Sequence, residues 1–104
     1  MSEAEIFKAL ADPTRRAVFE RLADGQKNAT QLRGGLAISQ PAMSQHLAVL
    51  RSAGLIAEQR SGRNVNYRVR PEGLAQMVRW LQRYQIFWPE RVDALKQLLK
   101  EMDQ

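Results

Sequence analysis

The spacing of the apolar residues changes near the middle of the chain, and this change limits the folds open to it. In the segment 40–53, apolar residues recur three or four positions apart and so share one helical face; they are Met43, Leu47 and Leu50. Beyond Gly54 the period becomes two, as in a half-buried strand; the alternating residues are Val65, Tyr67 and Val69. The sequence therefore predicts a helix followed closely by strand structure.

Capping and turn residues divide the remainder of the chain. Ser2, Asp12, Asn28 and Ser39 are favourable N-cap residues, and they indicate helices near 3–10, 13–23, 29–34 and 40–53. Gly62 lies between two strand-like runs and predicts a β-hairpin. Two further helices are expected over 72–103. We therefore expect one mainly α-helical domain over 1–104 with a β-hairpin, in the order four helices, two strands and two helices.

The positive charge is concentrated in one part of the chain. The net charge is +5, and the segment 39–70 holds five arginines against a single acid, Glu58. Arginine is always charged and suits bidentate contacts with phosphate, so a local excess is typical of nucleic-acid binders. A solvated face that keeps the protein soluble would look the same. Charge alone does not separate these two interpretations.

The elements in and around this basic segment have the order of a DNA-binding helix-turn-helix motif. A short helix, a glycine-containing turn and a helix from Gln40 form a candidate helix-turn-helix over about 29–53, and the hairpin over about 55–70 would serve as a wing. An α-helix fits the major groove, where polar side chains address base edges. An ordinary solvated helix face is the alternative. The predicted DNA-contacting residues are Ser39, Gln40, Pro41, Ser44, Gln45, His46, Arg51, Arg60 and Arg63.

Some of these residues have a second interpretation. A single histidine is more often a structural hydrogen-bonding group than a ligand, so a structural role and a phosphate contact are equally open for His46. Arg60 and Arg63 could simply charge the hairpin tip and prevent edge pairing. The absence of an acid from the turn favours DNA contact for both.

Several classes of function are disfavoured. The chain has no cysteine and one histidine, so thiolate chemistry and imidazole metal sites are not expected, and we predict no metal ligands and no cofactor. We find no catalytic triad spacing, P-loop or dinucleotide motif, so an enzyme is not expected. No apolar run approaches the roughly 18 residues of a membrane span. The first ten residues carry acids rather than a basic region, so a signal peptide is not expected. We expect a cytoplasmic protein without membrane insertion.

The aromatic residues indicate self-association. Four of the seven lie within nine positions, at 80, 84, 87 and 88, more than a domain of this size would bury alone. We expect the helices over about 3–10 and 72–103 to pack against a second copy, although core filling or a ligand pocket are alternatives. The predicted interface residues are Ile6, Phe7, Leu10, Trp80, Tyr84, Phe87, Trp88, Leu95 and Leu99.

Several motifs resemble the ArsR-type winged-helix repressors. These are ALADPTRR at 9–16, SQPAMSQHLAVLRSAGL at 39–55, RSGR at 60–63 and Tyr67. The resemblance covers almost the whole chain. It implies a bacterial or archaeal homodimeric repressor of double-stranded, palindromic operator DNA. It also implies that Gln40, Ser44, Gln45 and His46 lie on the recognition helix, with Arg60 and Arg63 on the wing.

The chain departs from the metal-sensing members of this family. Where they carry a Cys-x-Cys pair, the matching positions here are Asn28 and Thr30, and residues 72–104 contain no histidine. The resemblance therefore implies a metal-independent, autorepressor-like branch, whose activity is set by a protein partner, a small-molecule inducer or abundance. A winged-helix protein-interaction module with little specific DNA affinity remains the alternative function.

Overall fold

The computed structural model describes residues 2–87 and 90–102, and over 90–95 it describes the backbone only. In these ranges the chain forms six α-helices and a three-stranded antiparallel sheet. The helices are α1 (Glu3–Ala11), α2 (Pro13–Ala23), α3 (Ala29–Arg33), α4 (Gln40–Ser52), α5 (Pro71–Gln82) and α6 (Glu90–Met102), with a 3₁₀ helix at Gln85–Phe87. The strands are β1 (Lys27–Asn28), β2 (Ile56–Ser61) and β3 (Asn64–Val69).

The first four helices begin at the capping residues that the sequence predicts. The side-chain oxygens of Ser2, Asp12, Asn28 and Ser39 each accept a hydrogen bond from the backbone nitrogen three residues later, at 2.8 to 3.2 Å. At α3 the bond is reciprocal, since the backbone nitrogen of Asn28 donates to the side chain of Gln31 at 2.8 Å. These caps satisfy helix donors that have no partner within the helix.

The sheet contains one strand more than the predicted hairpin. Its order is β1-β3-β2, and β1 pairs with β3 through Lys27 opposite Tyr67 and Asn28 opposite Asn66. The predicted hairpin of β2 and β3 is confirmed. The sequence analysis did not include β1, because a strand of two residues is too short to show a period. Asn28 both ends β1 and caps α3, so the sheet joins the third helix directly.

The hairpin of β2 and β3 turns tightly. Ser61 lies opposite Asn64, which leaves Gly62 and Arg63 as the two residues of the turn. Gly62 has a φ of 63°, and every other residue with a positive φ in the described chain is also a glycine. A positive φ at the first turn position alone is the arrangement of a type II′ hairpin turn.

The core lies among α1 to α4 and the start of β2. Its buried apolar residues are Ile6, Ala9, Val18, Leu22, Leu32, Met43, Leu47, Leu50, Ala53, Leu55 and Ile56. Helix α5 adds the partly buried side chains of Leu74 and Met77. Ile6 was predicted for the dimer interface, but its side chain is 1% exposed inside the protomer, so this assignment was wrong. Its position on α1 faces the core rather than solvent.

Arginines of α2 close the carboxyl ends of two neighbouring helices. Arg15 Nε donates to the carbonyl oxygen of Ala9 at 2.6 Å, and Arg16 Nη1 donates to that of Leu10 at 3.0 Å. Arg21 Nη1 donates to the carbonyl oxygen of Leu32, near the carboxyl end of α3, at 3.0 Å. The last carbonyls of a helix have no partner within it and carry partial negative charge, so these cations stabilise α1 and α3.

Candidate nucleic-acid interface

Helix α4 separates an apolar face from a polar one. Met43, Leu47 and Leu50 are buried in the core, as the sequence predicts. The opposite face is exposed to solvent and carries short or amide side chains; its residues are Gln40, Pro41, Ser44 and Gln45. The packing of one face fixes the helix, and the free face offers hydrogen-bond donors and acceptors to a groove.

The amino end of α4 is exposed together with this polar face. Ser39 is exposed, and its hydroxyl accepts from the backbone nitrogen of Ala42 at 3.2 Å. The first backbone N–H groups of a helix and its dipole favour a negative group in front of them. Pro41 lies in this first turn and has no N–H of its own.

His46 lies at the edge of the polar face and is half-buried. It is near Asp12, the capping residue of α2. The pKa of Asp12 is lowered from 3.8, chiefly by the hydrogen bond from the backbone of Arg15, with the charges of Arg15 and His46 acting in the same direction. The structural role and the phosphate contact both stay predictions for His46.

The wing presents two exposed arginines close to its turn. Arg63 is in the turn itself and has no carboxylate partner among the described residues. Arg60 lies on β2, and its Nε is 3.6 Å from the Glu58 carboxylate. Arg68, which the sequence analysis did not select, is exposed on β3. Arg68 could have been selected as a DNA-contacting residue because it lies in the basic segment 39–70.

The carboxylate of Glu58 links α4 to the wing. Arg51 Nη1, in the last turn of α4, lies 2.5 Å from Glu58 Oε2. Arg51 was predicted to contact DNA, and the structure pairs it with this strand residue while its side chain stays 52% exposed. Glu58 was missed as a site residue, although it is the only acid within 39–70.

The aromatic residues predicted for the dimer interface form a chain of contacts. The ring centroids of Phe7 and Trp80 lie 5.1 Å apart, those of Trp80 and Tyr84 4.9 Å, and those of Tyr84 and Phe87 6.5 Å. Exposure rises from Trp80, which is half-buried, through Tyr84 at 43% to Phe87 at 73%. Trp88 lies outside the described residues, and so does the side chain of Leu95.

The remaining predicted interface residues differ in burial. Leu10 is partly buried against the core, whereas Leu99 is 53% exposed. The sequence analysis did not select five other exposed apolar residues of the carboxyl-terminal helices; they are Val78, Leu81, Ile86, Leu98 and Met102. The helical spacing of Val78 and Leu81 could have indicated that they share an interface face. Packing in the core explained the same spacing equally well.

Other kinds of site are scarce in the described part of the chain. Residues 2–87 and 90–102 contain no group of three or more side chains able to hold a metal ion. Within the same ranges, no helix is both long and apolar enough to cross a bilayer. A groove of about 510 Å³ between α1 and α4 is lined by Glu5, Lys8, Ala9, Arg15, Ala48, Val49, Ser52 and Ala53.

Residues 10–59 match a family model described as a helix-turn-helix domain. The chain is 41% identical over 93 residues to the HTH-type transcriptional regulator Rv2034 of Mycobacterium tuberculosis, covering 89% of this chain and 84% of that protein. It is 40% identical over 74 residues to the HTH-type transcriptional repressor SmtB of the same species, covering 71% of this chain but only 55% of that protein.

The same relationship appears in three dimensions. A crystal structure of an ArsR family transcriptional regulator superposes with a TM-score of 0.74 at 33% identity, covering 82% of this chain and 88% of the other. The neighbour shares the mainly helical fold with a winged helix-turn-helix, which confirms the predicted fold class. This chain belongs to the ArsR/SmtB family of winged helix-turn-helix transcriptional repressors.

Proposed function

We propose that this chain is a homodimeric, sequence-specific repressor that binds operator DNA and represses its own gene. The observation that carries this proposal is the exposed polar face of α4 beside the arginines of the wing. We assign residues 29–53 to the helix-turn-helix, 55–70 to the wing, and 3–10 and 72–103 to dimerisation, within one domain over 1–104. Helix α4 would then be the recognition helix.

The polar face of α4 would enter the major groove. Gln45 and Gln40 carry amides able to bond adenine in a bidentate manner, and Ser44 is short enough to approach bases or phosphates. Ser39 and the amino end of α4 would receive a phosphate, with His46 at the edge of the contact. Arg63 and Arg60 would hold the backbone beside the wing.

The exposed apolar residues support a twofold dimer. Phe87 is 73% exposed and continues, through Tyr84, the ring contacts that Trp80 begins on α5. Ile86, its neighbour in the sequence, is 86% exposed. Large apolar side chains in one patch are typical of protein interfaces. A twofold axis through this surface would set two recognition helices about 34 Å apart, one turn of DNA.

We further propose that repression does not depend on a metal ion. Asn28 and Thr30 occupy the positions that the metal-sensing relatives fill with cysteines. The side chain of Asn28 is already engaged in the capping of α3. Amide and hydroxyl groups are poor ligands for the soft and borderline metals that thiolates bind. Release from DNA would then follow from a protein partner, a small-molecule inducer or dilution.

Fluorescence anisotropy tests this proposal. The purified chain is titrated onto a duplex from upstream of its own gene and onto a scrambled duplex, at several salt concentrations, with zinc and with chelator. We expect tight binding to the upstream duplex alone, a steep salt dependence and no response to zinc or chelator. Equal, weak binding to both duplexes would contradict autoregulation and favour a protein-interaction module. A zinc response would contradict metal independence.

A further inference from the structure

Glu58 lies between two arginines, one from α4 and one from the wing. Arg51 Nη1 is 2.5 Å from Glu58 Oε2, and Arg60 Nε is 3.6 Å from Glu58 Oε1. Each oxygen of the carboxylate therefore faces a different guanidinium. Arg51 lies in the last turn of α4, and Arg60 lies just before the hairpin turn. A single acid therefore joins the helix and the wing, which are the two parts of the proposed interface.

The carboxylate is less exposed than its partners. The side chain of Glu58 is 23% exposed, against 52% for Arg51 and 75% for Arg60. A partly shielded carboxylate interacts more strongly with a neighbouring cation than a fully solvated one does. Both arginine side chains are at least half exposed, so a phosphate that approaches them must compete with Glu58.

This competition should differ between the complex with an operator and the complex with DNA of unrelated sequence. Contacts with phosphate supply nearly all of the affinity for unrelated sequences, whereas base contacts add to it at an operator. Base contacts would also hold particular phosphates in front of Arg51 and Arg60, at a high effective concentration. On unrelated DNA the phosphates would compete with Glu58 without that help.

We propose that Glu58 is a specificity-determining residue, which holds Arg51 and Arg60 and thereby limits binding to DNA of unrelated sequence. This inference rests on the proposed DNA-binding function. Its carboxylate acts through the two arginines and touches no base. Removing the charge should release both arginines to phosphates, and the gain should be larger on unrelated DNA than on the operator.

The test compares Glu58→Gln with the unsubstituted chain by fluorescence anisotropy, on the upstream duplex and on a scrambled duplex at several salt concentrations. We expect severalfold tighter binding to the scrambled duplex and a smaller gain on the upstream duplex. The slope of log affinity against log salt on scrambled DNA should steepen by about one to two units, because each additional phosphate contact adds about 0.9. A merely structural role would not steepen this slope.

Glu20→Gln is the charge-matched control. Glu20 is exposed on α2, outside the segments assigned to the helix-turn-helix, the wing and dimerisation. The substitution makes the same change of charge and should leave the difference between the duplexes unaltered. Circular dichroism and thermal unfolding establish that each variant is folded. Should Glu58→Gln not fold, Glu58→Asp, which keeps the charge on a shorter side chain, should show a weaker form of the same change.

A second comparison locates the effect. In the Arg51→Ala/Arg60→Ala background, Glu58→Gln should change affinity no more than Glu20→Gln does. A gain that persists in this background, or a gain equal to that of Glu20→Gln in the unsubstituted chain, would overturn the inference while leaving DNA binding intact. Failure of the unsubstituted chain to bind either duplex would overturn the proposed function and the inference together.

Discussion

The ring of Trp80 on α5 meets that of Phe7 on α1 edge-on, with the centroids 5.1 Å apart and the planes at 69°. This pair joins the first helix to the carboxyl-terminal part of the chain. A second link lies nearby, where Arg83 Nη2 is 2.6 Å from Glu3 Oε1. The two elements proposed for dimerisation therefore form one continuous surface within a protomer.

Trp80→Ala should weaken both the protomer and its self-association. Loss of the aromatic contact alone is expected to lower the free energy of unfolding by about 0.5–1.5 kcal/mol, beyond the effect of lost burial. Phe87→Ala is the comparison, since Phe87 is 73% exposed and should affect association alone. Denaturant unfolding and sedimentation velocity separate the two effects. Unchanged sedimentation for both variants would place the dimer interface elsewhere.

Gly73→Ala should destabilise the attachment of α5. A Cβ atom at this position would lie 2.4 Å from the carbonyl oxygen of Gly54, which is backbone and has little freedom to move. Overpacking of this kind costs about 1–3 kcal/mol, and the loss should appear as a lower Tm. Ala75→Ser, at an exposed position of the same helix, should leave the Tm nearly unchanged. Equal Tm values for the two variants would show that the backbone adjusts.

Ser44→Ala combined with Gln45→Ala should reduce discrimination between DNA sequences. Each good bidentate contact with a base contributes about 1–3 kcal/mol of discrimination, so the affinities for operator and scrambled duplex should converge. Gln26→Ala removes an exposed amide outside the proposed interface and serves as the control. If the ratio of the two affinities is unaltered by the double substitution, α4 does not read bases through these residues.

Arg63→Ala should weaken binding to all duplexes alike. A phosphate contact carries no sequence information, so its loss should reduce the slope of log affinity against log salt by about one unit. Anisotropy titrations at several salt concentrations measure this slope. A loss confined to duplexes with one particular base would instead mean that the wing reads that base.

Asp12 should make folding sensitive to acid. Its pKa is lowered from 3.8 in the folded chain, first by the hydrogen bond from the backbone of Arg15. A lowered folded pKa means that the carboxylate stabilises the fold above the unfolded value, and that this contribution is lost as pH falls through the folded pKa. Asp12→Asn keeps the cap without ionising, so its unfolding midpoint should vary less with pH below 3.8. Identical pH profiles would contradict this role.

The sequence predicts those parts of the structure that local physics determines. Ser39 and Asp12 have the chemistry of caps, and the spacing of Met43 and Leu47 selects the buried face of α4. The wing follows from alternation around Gly62. None of these predictions needs a contact between distant residues, because the signal lies within one element.

The remainder depends on contacts that a local pattern does not contain. Ile6 has the same chemistry as an interface residue, and only the packing of α1 places it in the core. Arg15 and Arg16 belong to a motif of the family, yet they serve the carboxyl end of α1. The pairing of Glu58 with Arg51 likewise depends on how α4 packs against β2. The sequence shows a single acid in a basic segment, but it does not show which arginine this acid contacts.

The two residues of β1 have a mechanical consequence. Asn28 pairs with Asn66 of β3 in the sheet and caps α3 through its side chain. Asn28 therefore fixes the sheet and the amino end of α3 relative to each other through a single residue.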